Sequence, residues 1–322
     1  MRAVVIDGPG GPEVLTVREV PIPVPAAGWV LIKVGAFGLN RSELHFRAGL
    51  AYSGSFPRIP GIEAVGTVVE APGGEFAPGT QVAALMGGMG REFDGGYAEY
   101  ASVPAANVVP FASDLPWSTL GAIPEMLQTA AGSLRVGLGA VDGQSLLIRG
   151  GTSSIGLALA VLGSSRGMTV VSTTRSAERA DLLREAGVDH VIVDTGEIAA
   201  EVRVLFPDGV DGAVELVGTN VMKDTLRSVR TGGTVCFTGM LSDEWTIAEF
   251  YPMEWLPNGV RLTAYSGEAA DLSPQELQDF IDAVAAGQAR VPLGRVYELS
   301  QIAQAHRDME AGVGGGKLVV LP

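Results

Sequence analysis

The sequence predicts an α/β protein in two parts, a β-rich first domain followed by a doubly wound parallel-sheet domain. Three observations carry this. Short apolar runs broken by Gly and Pro fill the first 120 or so residues. From residue 146 onward, strand-like and helix-like segments alternate. A turn of small residues joins the first strand of that series to an apolar helix. The length of 322 residues suits two domains better than one. Texture changes place the divisions at 1–120, 121–262 and 263–322.

In the first part AVVID (3–7), WVLIKVGAFGL (29–39), GTVVEA (66–71), QVAAL (81–85) and YAEYASV (97–103) read as strands. A short helix is expected near Asn40–Ala48, and residues 118–137 read as a helical approach. LLIRG (146–150) is an apolar strand, IGLALAVLGSSRG an apolar helix, and TVVSTT (169–174) a second strand. SAERADLLREAG is an amphipathic helix stopped by Gly187. HVIVD, GAVELV and TVCFTG continue the strands, and Arg261–Tyr265 is either an edge strand or an internal one. Beyond 263, LSPQELQDFIDAVAAG is a helix with Ser273 as N-cap, ELSQIAQAHRDMEAG a second helix, and KLVVLP a closing strand.

Hydrophobic residues make up 47% and charged residues 18%, which favours packed cores over disorder. The net charge of -14 disfavours a nucleic-acid or anionic-membrane partner, because both demand a basic face. No apolar run reaches the roughly 18 residues of a membrane span, and MRAVVIDGPGG lacks a signal core. Cys236 is the single cysteine, so no intramolecular disulfide framework exists. Together these point to a cytoplasmic protein.

The segment from Leu146 to Gly156 is the strongest chemical signal. Strand, small-residue turn and helix follow one another, so a pyrophosphate can approach the backbone and meet free N–H groups at the helix start. Gly150, Ser153 and Gly156 stand in a G-x-x-S-x-x-G spacing, which departs from G-x-G-x-x-G. Thr152, Ser154 and Ile155 complete the candidate set; the bland alternative is a tight turn that binds nothing. A serine-hydrolase elbow is a poor fit, because Ile155 stands where G-x-S-x-G needs its last glycine. At the end of the second strand, an acid would hold the ribose hydroxyls of NAD. Here Thr174, Arg175, Ser176 and Arg179 cluster instead and no acid precedes Glu178. That chemistry suits a 2′-phosphate and hence NADPH; otherwise the two arginines are solvated residues at a helix start.

These segments resemble the zinc-independent medium-chain dehydrogenase/reductases of the quinone oxidoreductase type. The likeness rests on GLNRSEL (38–44), PGIEAVG (60–66), GGYAEY (95–100), PEMLQTA (124–130), GGTV (232–235) and GKLV (316–319), in that order along nearly the whole chain. The resemblance implies a GroES-like β-rich catalytic domain, a Rossmann NADP-binding domain, a C-terminal return to the first domain, and a cleft between the two. It implies a homodimer as well. Zinc relatives place Cys and His where this chain has Asn40 and Ile62, so the resemblance implies no bound metal. It assigns Thr129 to the nicotinamide; Gly239 and Met240, which follow a predicted strand end, are expected beside the ring, with Met240 equally readable as core. Ser153 replaces a frequent glycine, and Ala131 stands where an aromatic is common.

Without zinc, the accessible reaction is hydride delivery to an already electrophilic small molecule, a quinone or an α,β-unsaturated carbonyl. Asn40, Tyr52 and Gln128 are the candidate donors to a developing oxyanion, with water as the final proton source. Asn40 is equally readable as a loop cap, and Tyr52 as a packed tyrosine. Two other readings stay open: an enoyl-thioester reductase, and a non-catalytic NADPH-binding protein of the crystallin kind.

Overall fold

The computed structural model describes residues 1–51, 53–244 and 246–322. Along the chain the strands are β1 (Arg2–Val5), β2 (Thr16–Glu19), β3 (Trp29–Gly38), β4 (Glu63–Glu70), β5 (Gln81–Leu85), β6 (Tyr100–Pro104), β7 (Val108–Phe111), β8 (Ser145–Arg149), β9 (Thr169–Thr174), β10 (His190–Val193), β11 (Val210–Glu215), β12 (Val229–Phe237), β13 (Arg261–Ala264), β14 (Leu293–Glu298) and β15 (Lys317–Leu321). The helices are α1 (Arg41–Arg47), α2 (Trp117–Leu120), α3 (Pro124–Gly132), α4 (Ser154–Ser165), α5 (Ala180–Glu185), α6 (Ala199–Leu205), α7 (Thr219–Ser228), α8 (Pro252–Trp255), α9 (Pro274–Ala285) and α10 (Ile302–Glu310). Residues 1–128 with 268–322 form one compact unit and 129–267 the other. The chain passes between them inside α3, whose unbroken helical sequence gives no sign of a boundary.

In the first unit the strand order is β14-β15-β3-β4-β5-β7, with β6 also paired to β3. Alternation along β3 turns Val30, Ile32 and Val34 inward, where they meet Val68, Val82, Ala84 and Val103. Leu318 and Val320 of β15 and Tyr297 of β14 join the same core, so the end of the chain completes the sheet begun at its start. The sequence did not announce β2, β7 or β14. Strand β7 contains Pro110, which a sheet accepts on an edge strand, and β7 and β14 are the two ends of this order. Helix α9 begins as expected at Ser273, whose Oγ accepts from Glu276 N (3.2 Å) while Glu276 accepts from Ser273 N (3.1 Å).

Helix α10 buries Ile302, Ala305 and His306. The His306 ring lies between Arg47 Nη1 (3.4 Å from Nδ1) and Tyr97 Oη (3.1 Å from Nε2), and Tyr97 stacks on Phe37 at 4.5 Å. A guanidinium only donates, so Nδ1 accepts and Nε2 carries the proton, donating to Tyr97. Burial, reinforced by the Arg47 charge, lowers the imidazole pKa to about 3.

In the second unit all strands run parallel in the order β10-β9-β8-β11-β12-β13. This is the doubly wound 3-2-1-4-5-6 arrangement, in which ligands bind at the carboxyl ends of the strands. Leu147, Val171, Ile192, Ala213 and Val235 form one core with Ile198, Val202, Met222 and Leu226 of α6, α7 and the loop before them. The apolar helix α4 packs on β8 and β9. Strand β13 pairs with β12 and ends this order opposite β10, so among the described residues it is one of the two edges of the sheet.

Because the folded-state pKa of His306 lies below the ordinary value, its stabilising effect is complete above pH 6.5 and is lost as pH falls toward 3. Measured by urea unfolding, the stability of the parent minus that of His306→Gln should fall by roughly 1 kcal/mol per pH unit between pH 6 and 4. A pH-independent difference would show that the histidine is not held neutral.

Candidate functional site

At the end of β8 the backbone turns through Gly150, which has φ +89°. Gly150 N donates to Thr173 Oγ1 (3.0 Å) and Gly151 N to Thr173 O (3.0 Å), so the turn is stitched to β9. A Cβ on Gly151 would overlap Ser172 Oγ, and one on Gly156 would lie 2.6 Å from Gly151 O. Ser153 is the N-cap of α4: its Oγ accepts from Gly156 N (3.1 Å) and donates to Gly150 O (2.8 Å). The Ser153 hydroxyl is thus spent within the turn, not presented to a ligand. Among the described residues the N–H groups of Thr152, Ser154 and Ile155 have no backbone acceptor, and all three residues are half-exposed. They form the positive end of α4, the feature that holds a phosphate.

Beyond β9, the Thr174 hydroxyl departs from its expected role. It is buried, accepts from Ser176 N (3.2 Å) and donates to Ser176 O (3.1 Å), which closes the local turn. Arg175 and Arg179 are exposed, and among the described residues their side chains have no hydrogen-bond or ionic partner. The loops after β11 and β12 are tied together: Thr238 N and Gly239 N both donate to Glu215 O (3.0 Å each), and Leu241 N to Leu216 O (3.1 Å). A Cβ on Gly239 would lie 2.8 Å from the Leu216 backbone, so only glycine fits. Met240 is half-buried on this loop, while Thr129 is buried and its carbonyl accepts from Ser133 Oγ (2.7 Å).

In the first unit, Asn40 belongs to a buried polar cluster. Its Nδ2 donates to Glu63 Oε1 (3.0 Å) and Glu43 Oε1 (3.3 Å), and its Oδ1 accepts from Lys317 Nζ. Lys317 also pairs with Glu63 (2.9 Å) and Glu125 (3.1 Å). Burial alone would push the ammonium down, but the two carboxylates override it and hold the lysine charged. Glu43 takes bonds from Asn40 N and Ile62 N (2.9 Å each), and burial still raises its pKa to about 7. Both amide protons of Asn40 therefore point at carboxylates, and the oxyanion-donor role expected of it would require giving one up. Gln128 is fully buried and its Nε2 donates to Glu268 O (3.1 Å), so one of its amide protons goes to the backbone. Tyr52 lies outside the described residues. The carboxylates of this cluster are turned to the Lys317 ammonium and the Asn40 amide, and among the described residues no three His, Cys, Asp or Glu side chains are grouped to hold a metal ion.

The sequence reading passed over Arg149, Asp194, Glu215 and Asp224. Arg149 is completely buried beside the turn, and each of the first three sits at or just past the carboxyl end of an apolar strand. A charged residue closing an apolar run was the available signal, because buried charges are rare unless paired.

Gly151→Ala should lose about 1–3 kcal/mol of stability, the cost of overpacking. Combining it with Ser172→Ala, which removes the overlapping hydroxyl, should return part of that loss. Urea unfolding of the two variants checks this, and a Gly151→Ala protein as stable as the parent would contradict the geometry.

Residues 26–113 match the family described as alcohol dehydrogenase GroES-like domain, and residues 186–320 the family described as zinc-binding dehydrogenase. YhfP of Bacillus subtilis, named as a quinone oxidoreductase, is 31% identical over 271 residues, which cover 79% of this chain and 82% of YhfP. Among solved structures, AibC matches with TM-score 0.90 at 28% identity, over 100% of this chain and 96% of its own. Mycobacterial Rv1454c, solved in complex with NADPH, matches with TM-score 0.84 at 27% identity over 100% of both chains. The chain belongs to the quinone-oxidoreductase-like medium-chain dehydrogenase/reductases, a family of NAD(P)-dependent oxidoreductases.

Proposed function

We propose that the protein reduces quinones or α,β-unsaturated carbonyls with NADPH, without zinc. The observation that carries this reading is the pair Arg175 and Arg179, exposed and unpartnered among the described residues, at the end of the strand beside the phosphate-binding turn. Their guanidinium groups suit a 2′-phosphate, and the pyrophosphate is held by the N–H groups of Thr152, Ser154 and Ile155. Ser176, half-exposed between the arginines, adds a hydroxyl donor. The solved relative that carries NADPH supports the same cofactor.

When bound, the cofactor supplies the hydride. Thr129, Gly239 and Met240 orient its nicotinamide end, and Gly239 lets its loop pack against the Leu216 backbone. The acceptor takes the hydride and then a proton, which comes from solvent. Asn40, both of whose amide protons go to carboxylates, holds the buried cluster, Gln128 holds the chain at Glu268, and the developing oxyanion is left to Tyr52 and water. The absence of a metal donor set at Asn40 and Ile62 restricts the substrate to one already electrophilic. The protein acts as a cytoplasmic homodimer in this reading, joined along the exposed edge β13.

Two measurements test the proposal. Turnover of NADPH against quinones, enones and enoyl thioesters should favour the first two; turnover of thioesters alone would overturn it. Replacing Arg175 and Arg179 together with alanine should weaken NADPH binding by about 1–3 kcal/mol and leave NADH binding unchanged. Equal loss for both cofactors would refute the 2′-phosphate assignment.

A further inference from the structure

We infer that Arg149 is the positioning residue of the cofactor site, its buried guanidinium setting the loops at the carboxyl ends of β8, β10 and β11 in register with one another. The inference rests on the reading of residues 150–156 as the dinucleotide turn. Arg149 is the last residue of β8, directly before Gly150, and has no exposed surface. All of its nitrogens are bonded. Nε and Nη2 grip Asp194 Oδ2 (2.9 Å) and Oδ1 (3.0 Å) as a fork, and Nη2 also reaches Gly196 O (2.8 Å). Nη1 donates to Val221 O (3.0 Å), Asp224 Oδ2 (2.9 Å) and Thr225 Oγ1 (3.0 Å).

Each partner passes the constraint on. Asp194 accepts from Gly196 N (2.9 Å), and its own N–H donates to Thr174 O (2.8 Å), so the ends of β9 and β10 move together. Asp224 accepts from Ile198 N (2.8 Å), which fixes the approach to α6. Thr225 Oγ1 donates to Glu215 Oε2 (2.5 Å), and Glu215 Oε1 accepts from Val217 N (2.6 Å) and Gly218 N (3.1 Å). The loop so held packs on the turn, since a Cβ on Gly150 would lie 3.2 Å from Leu216 and 3.4 Å from Val217. One side chain thus connects the phosphate turn to the loop that carries Gly239.

Stability alone does not account for this arrangement. Burying one cation among Asp194, Asp224 and Glu215 costs desolvation that an apolar residue of equal volume would avoid. Burial pushes the Glu215 carboxyl up to about 7, despite the bonds made to it. Lysine keeps the charge of arginine but cannot reproduce five donors in a rigid fork.

The test uses the full chain with Arg149→Lys, and Asp224→Asn as a milder second variant in case the first does not fold. NADPH and NADH binding is read by fluorescence titration, and hydrogen exchange of the free protein is read at residues 150–156, 194–196 and 215–218. Arg149→Lys should weaken both cofactors by about tenfold to the same degree, with exchange in all three segments raised. Asp224→Asn should act in the same direction, less strongly. Unchanged affinity for both cofactors in a folded variant, or loss confined to NADPH, would overturn the inference. So would affinity loss with exchange unchanged. Raised exchange in a protein whose parent binds neither cofactor would instead refute the cofactor reading itself.

Discussion

A guanidinium with no path to water must find an acceptor for every N–H it carries, and in the second unit that requirement organises the edge of the sheet where ligands bind. Arg149 cannot move without breaking bonds to the end of β10, to the loop beyond it and to α7. The turn that follows is fixed from the other side by the contact of Gly151 with Ser172, where no Cβ fits. Between these two constraints the three free N–H groups of Thr152, Ser154 and Ile155 have a defined direction. In the proposed reading the phosphate site is held in place by these neighbours.

The first unit uses the same device with a different cation. Lys317 lies buried among Asn40, Glu63 and Glu125, and it joins the last strand of the chain to the start of α1 and to α3. Both clusters couple segments far apart in sequence, so removing either cation would leave carboxylates buried without a counter-charge. Breaking such a pair costs more than the pair is worth when intact, which makes these positions intolerant whatever their net contribution.

What the sequence made legible follows from the range of the interactions involved. Parallel strands, the helix after the turn and the Ser273 cap are set by periodicity or by neighbours three or four residues away, and they can be read from one stretch of chain. The fate of a polar side chain is different. Asn40 meets Glu43 only three residues on, where a capping reading was open, but its other partners Glu63 and Lys317 lie 23 and 277 positions away, and Gln128 faces Glu268 across 140. Thr174 is the opposite case: its partner, Ser176, is two residues away, and a threonine-initiated turn was a reading the local sequence allowed. The short strands β7 and β14 were missed because edge strands tolerate the Pro110 and Gly294 that disguise them.

The two buried cations also bear on the chemistry. A metal at the Asn40 position would have polarised a substrate carbonyl; an ammonium whose contacts are all taken by protein oxygens does no such thing. In the proposed reaction the acceptor must then bring its own electrophilicity, as a quinone or enone does, and what remains to the protein is to hold the hydride donor still. That shifts catalytic weight from the first unit to the second, onto the loops tied to Arg149. Small displacements of a donor carbon relative to its acceptor change transfer rates steeply. In this proposal the buried fork of Arg149, which would set the loops that hold the cofactor, matters as much as any group that would meet the substrate.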